Sequence, residues 1–231
     1  MKIALLNCDH VNPELRHIGG DYPDIFTAFS KGMKFDNFNV CDREFPQNVK
    51  DYEVYIVNGS RMSVYDKKDW IVELKTFVKA IYKENRYYIG ICFGHQMLAE
   101  ALGGKVRKAE SGWCVGVHNF DIIHQKSWMN PQLTSYQILM SCQDQVQQLP
   151  DDSTILASSE KCPIGLFRVG ERMLGIQGHP EFTKAYSKAL MEVRIERIGK
   201  PIIDEGIASL TKTVDSASIF NWMMNFIRKD F

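Results

Sequence analysis

The sequence has no excess of charge of either sign. Its 28 Lys and Arg are matched by 28 Asp and Glu, so the formal net charge is zero with the histidines neutral. Without a basic surplus to displace counterions from phosphates, nucleic acid is not expected as a partner. Long apolar runs are missing too. Nothing approaches the roughly 18 uninterrupted apolar residues that would cross a bilayer, and the helical-looking segments carry Lys, Glu or Arg every few positions, so no membrane association is expected. The apolar run Ile3-Ala4-Leu5-Leu6 near the amino terminus is too short for a signal-peptide core and reads as a buried first strand, which makes the cytosol the expected location. Cysteine is too sparse for a disulfide framework, and the six, at 8, 41, 92, 114, 142 and 162, include no C-x-x-C, so neither a zinc knuckle nor a dithiol motif is indicated. No repeat, low-complexity tract or interdomain linker is visible. What remains has 45% hydrophobic and 24% charged residues, close to globular averages. At about 150 residues per domain, 231 residues are expected to form one large domain over 1–231.

Short β-branched and aromatic runs alternate with longer amphipathic segments in the first half, the pattern of strands joined by crossover helices in a parallel sheet. Strands are expected at 2–8, 38–42, 53–57 and 87–91. After Trp70, the residues Ile71, Leu74, Phe77, Val78 and Ile81 recur at offsets of three and four with Glu and Lys between them, which predicts an amphipathic helix. The second half changes character. Short strands are expected at 115–123, 136–140, 154–157, 164–169 and 173–177, an antiparallel extension rather than a second domain. Helices over 184–197 and 216–228 close the chain, the latter with a core stripe of Ile219, Phe220, Met223, Phe226 and Ile227. Segments 119–131 and 199–214 read as irregular. The fold class is therefore α/β, a doubly wound, mostly parallel sheet with flanking helices and an antiparallel extension.

Gly90-Ile91-Cys92-Phe93-Gly94 puts a nucleophilic side chain between two glycines at a predicted strand-to-helix junction, the arrangement of a nucleophile elbow with sulfur in place of oxygen. Such a turn strains the central residue and needs neighbours without bulk, and the following helix directs unpaired N–H groups at the sulfur. Those donors favour the thiolate, and the N–H of Phe93 becomes a candidate oxyanion donor. A bare G-x-C-x-G also occurs by chance as a buried cysteine in a βα turn. A second motif, Gly178-His179-Pro180-Glu181, directly follows the last predicted strand. A cysteine nucleophile needs a base, and a base needs an acceptor to fix its tautomer. Pro180 biases His179 toward extended angles, so His179 and Glu181 can share one side of the chain. His95, three residues from Cys92, is the rival base, but it falls in the first turn of the elbow helix and is expected to point along it. The histidines at 10, 17, 118 and 124 have no recognisable partner in the sequence.

GICFGHQ, with GHPEF nearly ninety residues later, resembles the class I glutamine amidotransferase family over almost the whole chain, and within it the stand-alone γ-glutamyl peptidases that trim glutathione conjugates. The resemblance implies a flavodoxin-like class I amidotransferase fold. It also implies a Cys92, His179 and Glu181 triad, with Gly59 supplying the second oxyanion N–H and Gln96, Ser60 and Ser141 facing the substrate. Asn58-Gly59-Ser60-Arg61 departs from the family's usual Gly-Gly-Pro loop, and Cys142 replaces the histidine of its S-H-x-D-x-V stretch. The implied activity is hydrolysis of the γ-glutamyl amide bond of glutamine or a γ-glutamyl peptide through a thioester, with no metal or cofactor. A chain of this length has no room for a fused synthetase, so any ammonia acceptor would be a separate protein. Two other readings stay open: a glutaminase subunit serving such a synthetase, and a non-catalytic metabolite-binding module of the same fold.

Overall fold

The runs Ile3–Leu6, Val54–Val57 and Tyr87–Ile91 are buried along their whole length, as strands covered on both faces must be. A computed structural model describes residues 1–228. In chain order, its first half contains β1 (Ile3–Leu6), α1 (Arg16–Gly19), α2 (Tyr22–Phe29), β2 (Asp36–Phe38), β3 (Val54–Val57), α3 (Asp69–Lys83), β4 (Tyr87–Ile91) and α4 (Phe93–Ala101). The second half contains β5 (Lys105–Lys108), β6 (Cys114–Ile122), β7 (Ser135–Cys142), β8 (Asp144–Gln148), β9 (Ser153–Ser158), β10 (Leu166–Val169) and β11 (Met173–Ile176). It ends with α5 (Lys184–Glu192), α6 (Ile195–Ile198), α7 (Lys200–Ser209) and α8 (Ser216–Arg228).

The main sheet runs β2-β1-β3-β4-β11-β10-β9-β6-β7, and β5 pairs with β8 in a small sheet of its own. From β2 to β11 the pairings are parallel, and from β11 to β7 they are antiparallel. The expected antiparallel extension is thus a continuation of the same sheet. Strand alternation sorts the core into two layers. Ile3, Leu5, Ile56, Ile89 and Ile91 face one side, where Phe26 and the α8 residues Ile219, Trp222, Met223, Phe226 and Ile227 cover them. Ala4, Leu6, Tyr55, Val57 and Tyr88 face the other, against Ile71, Leu74, Val78 and Ile81 of α3 and Phe93, Met97 and Leu98 of α4. Each large side chain so buried contributes about 1.5–3 kcal/mol relative to exposure.

Some expectations need correction, and one helix was not expected at all. The second strand lies at Asp36–Phe38, ahead of the predicted 38–42. Residues Val40–Asp42 instead form a 3-10 turn that ends with Arg43 at φ 69. The predicted helix over 184–197 is two helices, α5 and α6, with Arg194 between them as the α6 N-cap. The segment 199–214, read as irregular, contains α7. Gly199 at φ 98 breaks the chain after α6, Pro201 sits in the first turn of α7, and Gly206 lets that helix approach β6, where a Cβ would come within 2.9 Å of Val115. Finally, α2 is absent from the sequence-based expectation, although its signal is local. Asp21 and Asp24 form a capping box around Pro23, with Asp24 accepting from the Asp21 N–H at 2.9 Å. Within 119–131, β6 extends to Ile122 before the irregular stretch begins.

Asp21 fastens the start of α2 to the loop after β1. It accepts from the backbone N–H groups of Val11 at 2.8 Å and Tyr22 at 2.9 Å, and it lies 2.7 Å from His10 Nδ1. Burial acts to raise its pKa, but these donors outweigh burial and leave it lowered. Asp21→Ala is expected to lower unfolding free energy by about 2 kcal/mol, the upper end for loss of an N-cap, measured by urea denaturation. An unchanged midpoint would contradict this account of α2.

Candidate active site

Three neighbouring parallel strands, β3, β4 and β11, end together, and the chain leaving each one carries a residue singled out in the sequence. Gly59 follows β3, Cys92 follows β4 and His179 follows β11. In open α/β sheets this carboxyl edge is where ligand crevices form.

Cys92 is the N-cap of α4 and has φ 51 and ψ −99, a backbone state that costs a side-chain-bearing residue about 1–3 kcal/mol. The flanking glycines are what allow it. A Cβ on Gly90 would lie 2.4 Å from the carbonyl of Gly94, and one on Gly94 would lie 2.2 Å from the Val57 oxygen. The Tyr88 hydroxyl donates to the Gly94 carbonyl at 2.7 Å, and the Cys92 N–H donates to Ile176 at 2.8 Å, so sheet pairing reaches the cysteine itself. The N–H of Phe93 lies in the first turn of α4, where a helix offers no internal acceptor.

His179 is fixed from three sides. Its N–H donates to Leu139 of β7 at 2.7 Å, Nδ1 lies 2.8 Å from Glu181 Oε1, and Phe182 stacks on the ring at 3.9 Å between centroids. His179 and Glu181 are both buried. Burial disfavours the imidazolium, but the adjacent Cys92 thiolate and the Glu181 carboxylate outweigh it and raise the His179 pKa. Pro180 therefore delivers the side-by-side placement expected of His179 and Glu181.

His95 goes elsewhere. It is fully buried edge-on against Phe167 at 4.8 Å, with Nδ1 beside Gly175 under β11. Burial pushes its pKa down to about 3, against weak opposition from the backbone of Gly175 and Ile164, so the ring is neutral.

Gly59 is constrained by space, since a Cβ there would come within 2.9 Å of His179 Cε1 and 3.7 Å of Cys92 Cβ. Its loop is anchored by side-chain bonds of Asn58 and Arg61 that the sequence does not reveal. Asn58, fully buried, accepts from the Cys8 N–H at 2.7 Å and donates to Asn7 at 2.6 Å. Arg61 pairs with Asp9 at 2.8 Å and reaches the His10 carbonyl at 2.7 Å, tying the unusual Ser60-Arg61 sequence to the loop after β1. The Ser60 hydroxyl accepts from Met62 N–H at 3.2 Å within the loop.

Two clefts adjoin Cys92. One is lined by Gln96, Cys142, Lys108, Trp113 and Arg197 among others, the second by Tyr22, Gly59, His179, Phe182 and Leu190, and Ser60, Ser141 and Arg194 line both. Gln96 lies in the first with both amide hydrogens committed, to the Asp144 carbonyl at 2.7 Å and to Gln177 Oε1 at 3.2 Å, so only its oxygen can serve a ligand. Asp144 accepts from Ser63 and Tyr65, and Ser141 accepts from Arg194 at 3.1 Å. Cys142, in place of a histidine, is a buried thiol whose pKa burial raises, with Cys92 and Cys162 adding to the shift, and it stays neutral. Tyr22 and Arg194 were missed because each is brought in by an element, α2 or the α5–α6 break, that carries no catalytic motif, whereas Phe182 closes GHPEF and only its stacking on His179 was hidden.

Away from these clefts, His10, Cys41 and Asp42 place ligand-type atoms within 4.8 Å of one another. Both His10 nitrogens are engaged by carboxylates, Asp21 at 2.7 Å and Asp42 at 2.8 Å, which raise its pKa and make it an ion-pair centre. His10 therefore has the partners that the sequence alone did not reveal.

Because the charge on Cys92 helps hold the proton on His179, Cys92→Ser should lower the His179 titration midpoint, followed by NMR of the ring protons. A midpoint that stays put or rises would contradict the coupling.

The family model for glutamine amidotransferase class-I matches residues 33–194. The chain is 33% identical over 228 residues to gamma-glutamyl peptidase 2 of Arabidopsis thaliana, covering 95% of this chain and 89% of that one. It is 26% identical over 166 residues to a glutamine-hydrolyzing GMP synthase subunit of Sulfolobus acidocaldarius, covering 71% and 86%. The fold superposes on a glutamine amidotransferase from Thermotoga maritima with TM-score 0.76 at 19% identity, covering 99% and 97% of the two chains. The match over most of the chain, together with the sheet order and the elbow, leads to one conclusion: this protein belongs to the class I glutamine amidotransferase family.

Proposed function

We propose that the protein is a cysteine-dependent hydrolase of γ-glutamyl amides, working as a single unit over 1–231. The observation that carries this reading is the buried Cys92, His179 and Glu181 cluster at the ends of adjacent parallel strands. The Cys92 thiolate attacks the γ-carbonyl and an S–C bond forms. Negative charge collects on the carbonyl oxygen, where the N–H groups of Phe93 and Gly59 stabilise it, each contributing about 2.7–4 kcal/mol by analogy with other hydrolases. The C–N bond then breaks as the His179 imidazolium gives its proton to the leaving nitrogen, with Glu181 holding the ring through Nδ1. Water, deprotonated by the same imidazole, adds to the γ-glutamyl thioester. Cleavage of the S–C bond releases glutamate and restores the cysteine. With the amide hydrogens of Gln96 already used, its oxygen is left as the acceptor for the substrate's ammonium group in the cleft that Gln96 lines.

The similarity to a GMP synthase subunit supports a second reading, in which the released ammonia passes to a separate synthetase. A copurifying partner that raises glutaminase turnover would favour it over free hydrolysis.

Cys92→Ala should lower kcat for glutamate release by about 10³-fold or more with the fold retained. Retained activity would exclude this mechanism, and a wild type inert toward every γ-glutamyl amide would favour a binding module. His179→Asn should slow acylation about 10²–10⁴-fold, whereas His95→Asn should change kcat by less than about tenfold and act on stability. Equal losses in the two histidine variants would contradict the assignment of the base.

A further inference from the structure

We propose that Arg194 and Arg197 form a carboxylate-recognition site for the leaving group, so that the preferred substrates are γ-glutamyl amino acids or short γ-glutamyl peptides ending in a free carboxylate. This inference rests on the hydrolase reading above.

The direction follows from the acid. His179 must reach the leaving nitrogen, so the leaving group departs through the cleft that His179 itself lines, past Tyr22, Phe182 and Leu190. These three are buried and form an apolar collar next to the sulfur. Beyond it a groove continues along Tyr22 and Leu190 to Arg194 and Arg197, with Asp9, His10 and Arg61 on its far wall. Arg194 lines both the collar and this groove, so a substrate leaving the sulfur meets its guanidinium; with Arg197 it also borders the Gln96 cleft, so the two arginines stand where the glutamyl and leaving-group sides meet.

The charges in the groove are unevenly spent. Asp9 is neutralised by Arg61 at 2.8 Å, and His10 by its two aspartates. Arg194 has only the Ser141 hydroxyl, at 3.1 Å, and Arg197 lies over the Trp113 ring at 5.1 Å from its centroid. Neither makes an ion pair with a carboxylate among the described residues. The break between α5 and α6 puts both on one short stretch, three residues apart. Two guanidiniums, one held by a hydroxyl and one by an aromatic face, offer planar N–H pairs matched to a carboxylate. Departing ammonia would use neither. A glycine or longer residue attached to the scissile nitrogen would carry its carboxylate through the collar toward them.

The test compares γ-glutamylglycine with γ-glutamylglycinamide, which differ only in that carboxylate. The wild type should prefer the free acid by tenfold or more in kcat/KM, about 1.4 kcal/mol. Arg197→Gln, at an exposed position, and Arg194→Lys, which keeps charge but loses the fork, should each move the ratio toward one. A wild-type ratio near one would overturn the proposal. So would an equal loss on both substrates in the variants, which would place the arginines on the glutamyl α-carboxylate instead. Failure of the wild type to hydrolyse either peptide, or glutamine, would instead remove the hydrolase reading and this inference with it.

Discussion

The architecture depends on one close approach of backbone to backbone. Where α4 leaves β4, Gly94 passes so near the Val57 carbonyl that not even a methyl group would fit, and Gly90 is pressed as tightly against Gly94. That contact forces Cys92 into its positive φ, lifts its side chain to the carboxyl edge of the sheet, and points the first turn of α4 at the sulfur. The strain costs about 1–3 kcal/mol. Two buried layers, the pairing of Cys92 with Ile176 and the bond from Tyr88 to Gly94 hold it in place.

With the sulfur fixed, the other groups are positioned by sheet order. β3 and β11 flank β4, so Gly59 and His179 arrive beside Cys92 without a long loop. A bond to β7 and stacking on Phe182 leave the His179 ring little freedom, and Glu181 occupies Nδ1. The burial that disfavours a lone imidazolium is overcome by two neighbouring negative groups. His95 shows the converse. It has equal burial and no such neighbours, so its ring stays neutral.

Much of this was legible in the sequence because its causes are local. The glycines around Cys92 and the Pro180 between His179 and Glu181 act through the backbone of their own segments, and buried parallel strands announce themselves as apolar runs. Tyr22, Asn58 and Arg194 were hidden because their roles depend on which distant segments meet. Asn58 matters through Asn7 and Cys8, fifty residues away, and Arg194 through a helix break that the periodicity of 184–197 conceals. The segment 199–214 misled for a related reason: Gly199 and Gly206 look like loop residues, yet one is a break between helices and the other a packing contact.

The central claim is that Cys92, alone among six free cysteines, is an activated nucleophile aimed at a γ-glutamyl carbonyl. It is tested most directly by treating the protein with a glutamine-analogue electrophile and mapping the adduct by peptide mass spectrometry. The account predicts a single adduct, on Cys92, suppressed by excess γ-glutamyl substrate. Labelling of another cysteine in preference, or no adduct at Cys92, would contradict it.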